Sequence, residues 1–186
     1  MHSLTTDRLT LRPFTPDDAD FVLDTYSRWE VQRYIGRVPR VLADREEALG
    51  LITRWRAIGE HPVHGVWLAV DTASGERLGT LLLKDIPASG TDRAPSGDTE
   101  IGWHLHPDAW GRGIATEGAR AVLARAFAGG LDRVVAVTHP DNLASQRVAE
   151  RIGLRSLGLS SAYYDTECAL FAADRAESAA ASGAPA

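Results

Sequence analysis

The run Trp110-Gly-Arg-Gly-Ile-Ala-Thr116 constrains the fold of this chain more than any other feature. Before it lies Thr99-Glu-Ile-Gly-Trp-His-Leu-His106, which alternates apolar and polar residues as a strand does. After it comes an alanine-rich stretch with apolar residues at helical spacing. Glycine lets backbone N–H groups approach a ligand with no Cβ in the way. The start of a helix adds unpaired N–H groups and the positive end of the helix dipole. The segment therefore predicts strand, glycine loop and helix, with an anionic ligand such as a pyrophosphate at the junction.

Two common phosphate loops do not fit. A Walker A loop ends in Gly-Lys-Ser/Thr, and nothing of the kind follows Gly113. A dinucleotide fingerprint needs a third glycine where Thr116 stands.

The flanking sequence supplies the other elements. Leu9–Arg12 alternates and reads as a strand. Thr15-Pro-Asp-Asp18 then offers a cap, a proline for the first turn and two acids ahead of a helix bearing Ala19, Val22, Leu23 and Tyr26. Asp44 and Glu47 cap a second helix through Ala48, Leu51, Ile52, Trp55 and Ile58. Strands are expected at 65–70 and 78–83, joined by a turn at 71–77, and residues 85–98 read as a loop. The helix after the glycine loop turns Ala119, Val122, Leu123, Ala126 and Phe127 inward and stops at Gly129-Gly130. A strand at 134–138 follows, then a short helix with Ala144, Val148 and Ile152 inward, then strands near 155–159 and 166–172. The order is β-α-α-β-β-β-α-β-α-β-β, an α/β protein with a mixed sheet, and we expect one domain over 1–174 with a disordered Ala/Ser-rich tail at 175–186.

Composition narrows the function classes. A chain of 186 residues that is 44% hydrophobic can build one sizeable core. Its net charge of −5 argues against nucleic acid as the principal partner. It has no 18-residue apolar run and no basic-then-apolar leader at the N-terminus, so no membrane association and a cytoplasmic location are expected. The single cysteine, Cys168, excludes an intrachain disulfide and falls in an expected strand as an inert thiol.

Three blocks together resemble the GNAT superfamily of acetyl-CoA-dependent N-acetyltransferases. The family's loop reads Gln/Arg-x-x-Gly-x-Gly/Ala, and residues 110–115 match it at Gly113 and Ala115 with Trp110 in the first place. The full run W-G-R-G-I-A-T-E resembles the RimJ/RimL-type branch, the ribosomal-protein N-terminal acetyltransferases and their relatives. Residues 5–18 are similar to the family's opening strand and helix cap, and residues 142–154 to its last helix with an N-x-x-S start. The resemblance implies the GNAT fold and acetyl-CoA as cosubstrate, held by Gly111, Arg112, Gly113, Ile114, Ala115 and Thr116. It also implies backbone pairing of the pantetheine arm with Trp103, His104 and Leu105, where the fourth and fifth strands splay apart, and a contact from Asn142. Arg147 is a further candidate for the phosphates.

The chemistry requires a neutral amine and some relief for the departing thiolate. Glu100 is the candidate base, on the strand face opposite Ile101 and Trp103. A solvated strand carboxylate is the bland alternative. By parity His104 and His106 share its face. His-x-His could be half of a metal site, but no matching cluster accompanies it and no metal is expected. Many relatives carry an acidic tyrosine where this chain has Ala149. The resemblance points instead to Ser145, with Tyr163 and Tyr164 as other phenol sources and simple helix capping as the alternative for Ser145 and Asn142. Three readings follow: acetylation of a protein N-terminal α-amine, acetylation of a small-molecule amine, or a CoA-binding module without turnover. The chain is expected as a monomer or homodimer. Acceptor choice is assigned to residues 27–43, 85–98 and 160–165.

Overall fold

The computed structural model describes residues 2–90 and 95–176. The chain runs β1 (Leu4–Thr5), β2 (Leu9–Pro13), α1 (Ala19–Ser27), α2 (Trp29–Gln32), α3 (Arg45–Ile58), β3 (Gly65–Asp71), β4 (Arg77–Pro87) and β5 (Pro95–Leu105). It continues with α4 (Ile114–Ala128), β6 (Arg133–Thr138), α5 (Leu143–Arg151), β7 (Arg155–Ser160) and β8 (Cys168–Asp174). This is the expected order with two short additions, β1 and α2. The strands form one sheet in the order β1-β2-β3-β4-β5-β6-β8-β7. Every neighbouring pair is antiparallel except β5 and β6.

Helices cover both faces, which explains why β4 is buried continuously from Leu78 to Leu83 instead of alternating. On one face α4 packs against Leu81, Leu83 and Ile101 through Ala119, Val122 and Ala126. Gly118 lets it come close: a Cβ there would lie 3.1 Å from Leu81 Cγ. On the other face α1 and α3 bury Val22, Tyr26, Ala48, Ile52 and Trp55 against Val66, Leu68 and Leu82. Asp44 caps α3 by accepting from Glu47 N at 2.9 Å.

A buried carboxylate ties the first turn to the sheet. Asp18 accepts from both terminal nitrogens of Arg12 at 2.8 Å, from Arg77 Nε at 2.9 Å and from the Thr15 N–H at 2.9 Å. Burial alone would raise its pKa; the bonds from Arg12, Thr15 and Arg77 outweigh that and hold the carboxyl at about 2.

Some expectations need correction. Residues 85–98 are not a loop throughout: β4 continues to Pro87 and β5 begins at Pro95, with Asp85 opposite Thr99 and Pro87 opposite Pro95 across a bulge. Pro, Gly and Ser read locally as breakers, but the two arms of a hairpin satisfy each other's backbone groups and carry the pairing through them. His106 has left β5. It caps the 3₁₀ turn Pro107–Ala109 and lies 3.1 Å from Asp24 Oδ2, so strand parity does not reach it. In α5 the buried residue is Ala149, while Ala144 is exposed, because the helix rests on the sheet by its second half. Most of the tail expected to be disordered, residues 177–186, lies outside the described residues. No helix among the described residues is long and apolar enough to cross a membrane.

Candidate active site

The parallel pair β5/β6 meets at one register position, Glu100 opposite Val135. Beyond it the strands diverge, and a helix begins at the end of each. The His106 N–H donates to Leu78 O at 3.0 Å, so the even-numbered residues of β5 spend their backbone groups on β4. The alternation of an antiparallel ladder then turns the N–H and C=O of Trp103 towards the open fork. Trp110 closes its rim by donating Nε1–H to Leu105 O at 3.0 Å. In open α/β sheets, ligands lie outside the carboxyl ends of such parallel strands.

The glycine loop stands at this end. Gly111 and Gly113 have φ of +72° and +78°, a region in which a side chain is strained, and Gly113 is the N-cap of α4. The N–H groups of the first turn of α4, over Ile114, Ala115 and Thr116, have no intrahelical partner. A cleft of about 660 Å³ opens beside them and is lined in part by Gly113, Thr116, Arg8, Arg120 and Arg151. Arg8 comes from the β1–β2 turn. It donates Nε–H to Glu117 at 2.6 Å and Nη1–H to Arg112 O at 3.1 Å, and Nη2 would lie 3.5 Å from a Cβ on Gly113. Arg112 reaches away to Glu76 at 3.2 Å, and Arg147 is exposed on α5. The donors, the absent Cβ atoms and the nearby guanidinium groups suit a pyrophosphate.

At the end of β6, Asn142 caps α5 by accepting from Ser145 N at 3.2 Å. Among the described residues the Ser145 hydroxyl has no hydrogen-bond partner in the protein, so it is available to a ligand at the helix start.

Glu100 lies at the base of the fork, on the face opposite Ile101 and Trp103, and its side chain is 12% exposed. Its cross-strand partner Lys84 places Nζ 2.9 Å from Glu100 Oε2. Tyr164 donates its hydroxyl to the same oxygen, and Lys84 Nζ donates to the Tyr164 oxygen at 2.6 Å. Burial and the Glu100 charge push the Tyr164 phenol well above its ordinary range. Tyr163 donates to Asp98 at 2.7 Å, and burial with that carboxylate pushes its phenol up to about 12.

His104 shares the Glu100 face but serves the core. Its Nδ1 lies 3.0 Å from Tyr26 Oη, which itself donates to Thr80 at 3.0 Å. This network assigns the Nδ1 proton to a neutral ring. Burial, aided by the charge of Lys84, lowers the His104 pKa to about 4.

The three segments expected to choose the acceptor converge here. Ser89 N donates to Ala162 O and Gly90 N to Asp165 Oδ1, both at 2.8 Å. Arg37 lies 3.7 Å from Asp165, and the Tyr34 ring lies tilted against His139 with centroids 5.3 Å apart. A cleft of about 280 Å³ is lined by Ala57, Ile58, His61, His64, Lys84 and Asp85, so it shares Lys84 with the Glu100 cluster.

Sequence reasoning missed Lys84 and Arg8. For Lys84 a signal existed: of 20 Lys and Arg residues it is the one lysine. Arg8 gave none, because its nearness to the glycine loop depends on β1 and β2 packing against α4.

Comparisons with known proteins identify the family and the fold. Residues 8–155 match the family model described as the acetyltransferase (GNAT) domain, and the chain belongs to that family. A curated relative from Bacillus subtilis, the uncharacterized N-acetyltransferase YoaA, is 31% identical over 161 residues, covering 86% of each chain. The crystal structure of a GNAT-family acetyltransferase from Bacillus anthracis superposes with a TM-score of 0.76 at 21% identity, covering 94% of this chain and 99% of that one. RimL, a ribosomal alpha-N-protein acetyltransferase solved in complex with coenzyme A, superposes with a TM-score of 0.74 at 18% identity, covering 93% and 98%. The protein is an N-acetyltransferase with the mixed-sheet GNAT fold.

Proposed function

We propose that this enzyme moves an acetyl group from acetyl-CoA to the α-amine of a protein N-terminus, in the manner of the RimJ/RimL-type branch. The observation that carries the proposal is the fork itself. Glu100 sits where β5 and β6 part, and the N-termini of α4 and α5 stand at the parted ends. Acetyl-CoA, when bound, supplies the thioester.

The chain's residues do the rest. The N–H groups of residues 111–116 hold the pyrophosphate. The backbone N–H and C=O of Trp103 pair with the pantetheine arm, and Asn142 flanks it. The expected backbone contacts from His104 and Leu105 drop out, because His104 spends its groups on β4 and Leu105 O is taken by Trp110. Glu100 takes the amine proton through a water, so that the amine nitrogen can bond to the acetyl carbon as the C–S bond breaks. The Ser145 hydroxyl donates a hydrogen bond to the departing sulfur. These donors act where charge develops.

An α-amine suits this machinery. At pH 7 about 10% of α-amines are neutral, against about 0.04% of lysine amines, so a single carboxylate suffices for the first. The likeness to RimL supports the same acceptor class. A second reading, a small free amine, is favoured by the cleft beside Lys84, whose 280 Å³ admits one residue-sized group. Cytoplasmic acetyl-CoA and the free thiol of Cys168 fit either reading.

Mass spectrometry of products from a panel of free-N-terminus peptides, N-blocked lysine peptides and small amines decides between them. Acetylated α-amines support the first reading and acetylated small amines alone support the second. Acetylation confined to lysine side chains would sink both.

A further inference from the structure

We propose that Lys84 and Tyr164 are positioning residues for the base, together clamping one oxygen of Glu100 so that the other faces the acceptor. The inference rests on the reading of Glu100 as the base.

Three contacts form a closed triangle: Lys84 to Glu100 Oε2 at 2.9 Å, Lys84 to the Tyr164 oxygen at 2.6 Å, and Tyr164 to Glu100 Oε2. The Tyr164 hydroxyl donates to Oε2 and the Lys84 ammonium pairs with the same oxygen. Among the described residues no protein group donates to Oε1, which leaves that oxygen free for a proton.

Tyr164 is held in place at a cost. Tyr164 and Asp165 have φ of 59° and 53°, and among the described residues they are the non-glycine residues with positive φ. Strain of this kind persists only where the surroundings over-determine it. Here they do. Asp165 N donates to Ser89 Oγ at 3.0 Å, Gly90 N donates to Asp165 Oδ1 at 2.8 Å, and Tyr163 bridges to Ala88. The β7–β8 loop is thereby stitched to the end of β4, and the stitching aims the Tyr164 phenol at Glu100. The raised Tyr164 pKa keeps that phenol a donor and opposes its loss of a proton to the sulfur.

Lys84 fits its place in kind. The chain uses arginine at every other cationic position, and here a compact ammonium fills the gap between a carboxylate and a phenol.

The test is a double-mutant cycle, with the fastest acceptor of the panel and acetyl-CoA affinity followed by calorimetry. Lys84→Met and Tyr164→Phe should each lower kcat by about 10–100-fold while leaving acetyl-CoA affinity unchanged. In the Glu100→Gln background each should cost less than about 2-fold, since a group that acts through Glu100 has nothing left to orient. Losses that persist undiminished in that background would mean an independent role and overturn the proposal. So would full activity in either single variant. If Glu100→Gln alone is silent, the base assignment fails first and the clamp with it.

A second measurement needs no acceptor. Protein labelled with 15N-lysine carries one side-chain ammonium, that of Lys84. Bonded on two sides, its Nζ signal should be visible in wild type and should shift in both Glu100→Gln and Tyr164→Phe. A signal unmoved by either substitution refutes the triangle.

Discussion

At the residue scale, the site divides into groups that are bonded and groups left free. Glu100 has one engaged oxygen and one open, as a positioned base requires. Glu100→Gln keeps the shape and removes the base, so turnover should drop by about 10²–10⁴-fold. Steady-state kinetics over pH 6–9 checks this, and undiminished rates across that range would remove Glu100 from the chemistry. Ser145 has its amide on Asn142 and its hydroxyl free. A thiol with a pKa near 8.5 leaves as thiolate with little penalty, so a hydrogen bond can suffice where other acids transfer a full proton. Ser145→Ala should cost on the order of 10–10³-fold in kcat, from one donor lost in the transition state. If that variant is silent and Tyr164→Phe abolishes turnover even in the Glu100→Gln background, the acid is the phenol.

At the element scale, the glycine loop and the helix behind it act as one unit. Gly113 serves as the N-cap of α4 at a φ of +78°, and its missing Cβ leaves the helix N–H groups open. In Gly113→Val the β-branched side chain is strained by about 1–3 kcal/mol in this conformation and covers the donors. Coenzyme A affinity by calorimetry should fall by about 10–100-fold in a variant whose circular dichroism is unchanged. Helix α3 lies remote from the loop and offers a contrasting case. Its cap side chain, Asp44, accepts from Glu47 N, while the Glu47 carboxylate accepts from Ala43 N. Asp44→Ala should remove about 1 kcal/mol, read as a melting temperature lower by about 2–4 °C, with coenzyme A affinity intact.

At the scale of the whole molecule, pH acts on stability through shifted groups that include His104 and Asp18. His104 has a folded pKa of about 4 against 6.5 for the free side chain, so the folded state holds fewer protons between those values. Stability is then full above about pH 6.5 and declines as pH falls towards 4. Asp18 has a folded pKa of about 2 against 3.8, so its contribution is present above 3.8 and fades as pH falls towards 2. The melting temperature should therefore fall in two stages on acidification. His104→Asn should shrink the upper stage, to which buried His64 with its lowered pKa also contributes, and leave the lower one. A wild-type melting temperature that stays level from pH 7 to pH 4 would contradict the assignment of a neutral His104.

Much of this was legible in the sequence because it depends on neighbours in the chain. The glycine loop, the caps at Asp44 and Asn142, the stop at Gly129 and the parity that puts Glu100 opposite Ile101 are local matters of backbone conformation and period. The sequence by itself therefore determined the order of the main elements, the family and the place of the glycine loop. What it could not carry were contacts made by folding. Lys84 meets Glu100 only because β4 pairs with β5 in one register, and a shift of one residue would turn Lys84 to the other face. Tyr164 lies 64 residues from Glu100 and reaches it only through a strained loop bonded to the end of β4. Arg8 stands over Gly113 because β1 and β2 pack under α4. The pairing of 85–87 with 95–99 overrode residues that read as breakers. In each case the deciding free energy came from burial and backbone pairing between distant segments, which only the tertiary structure brings together.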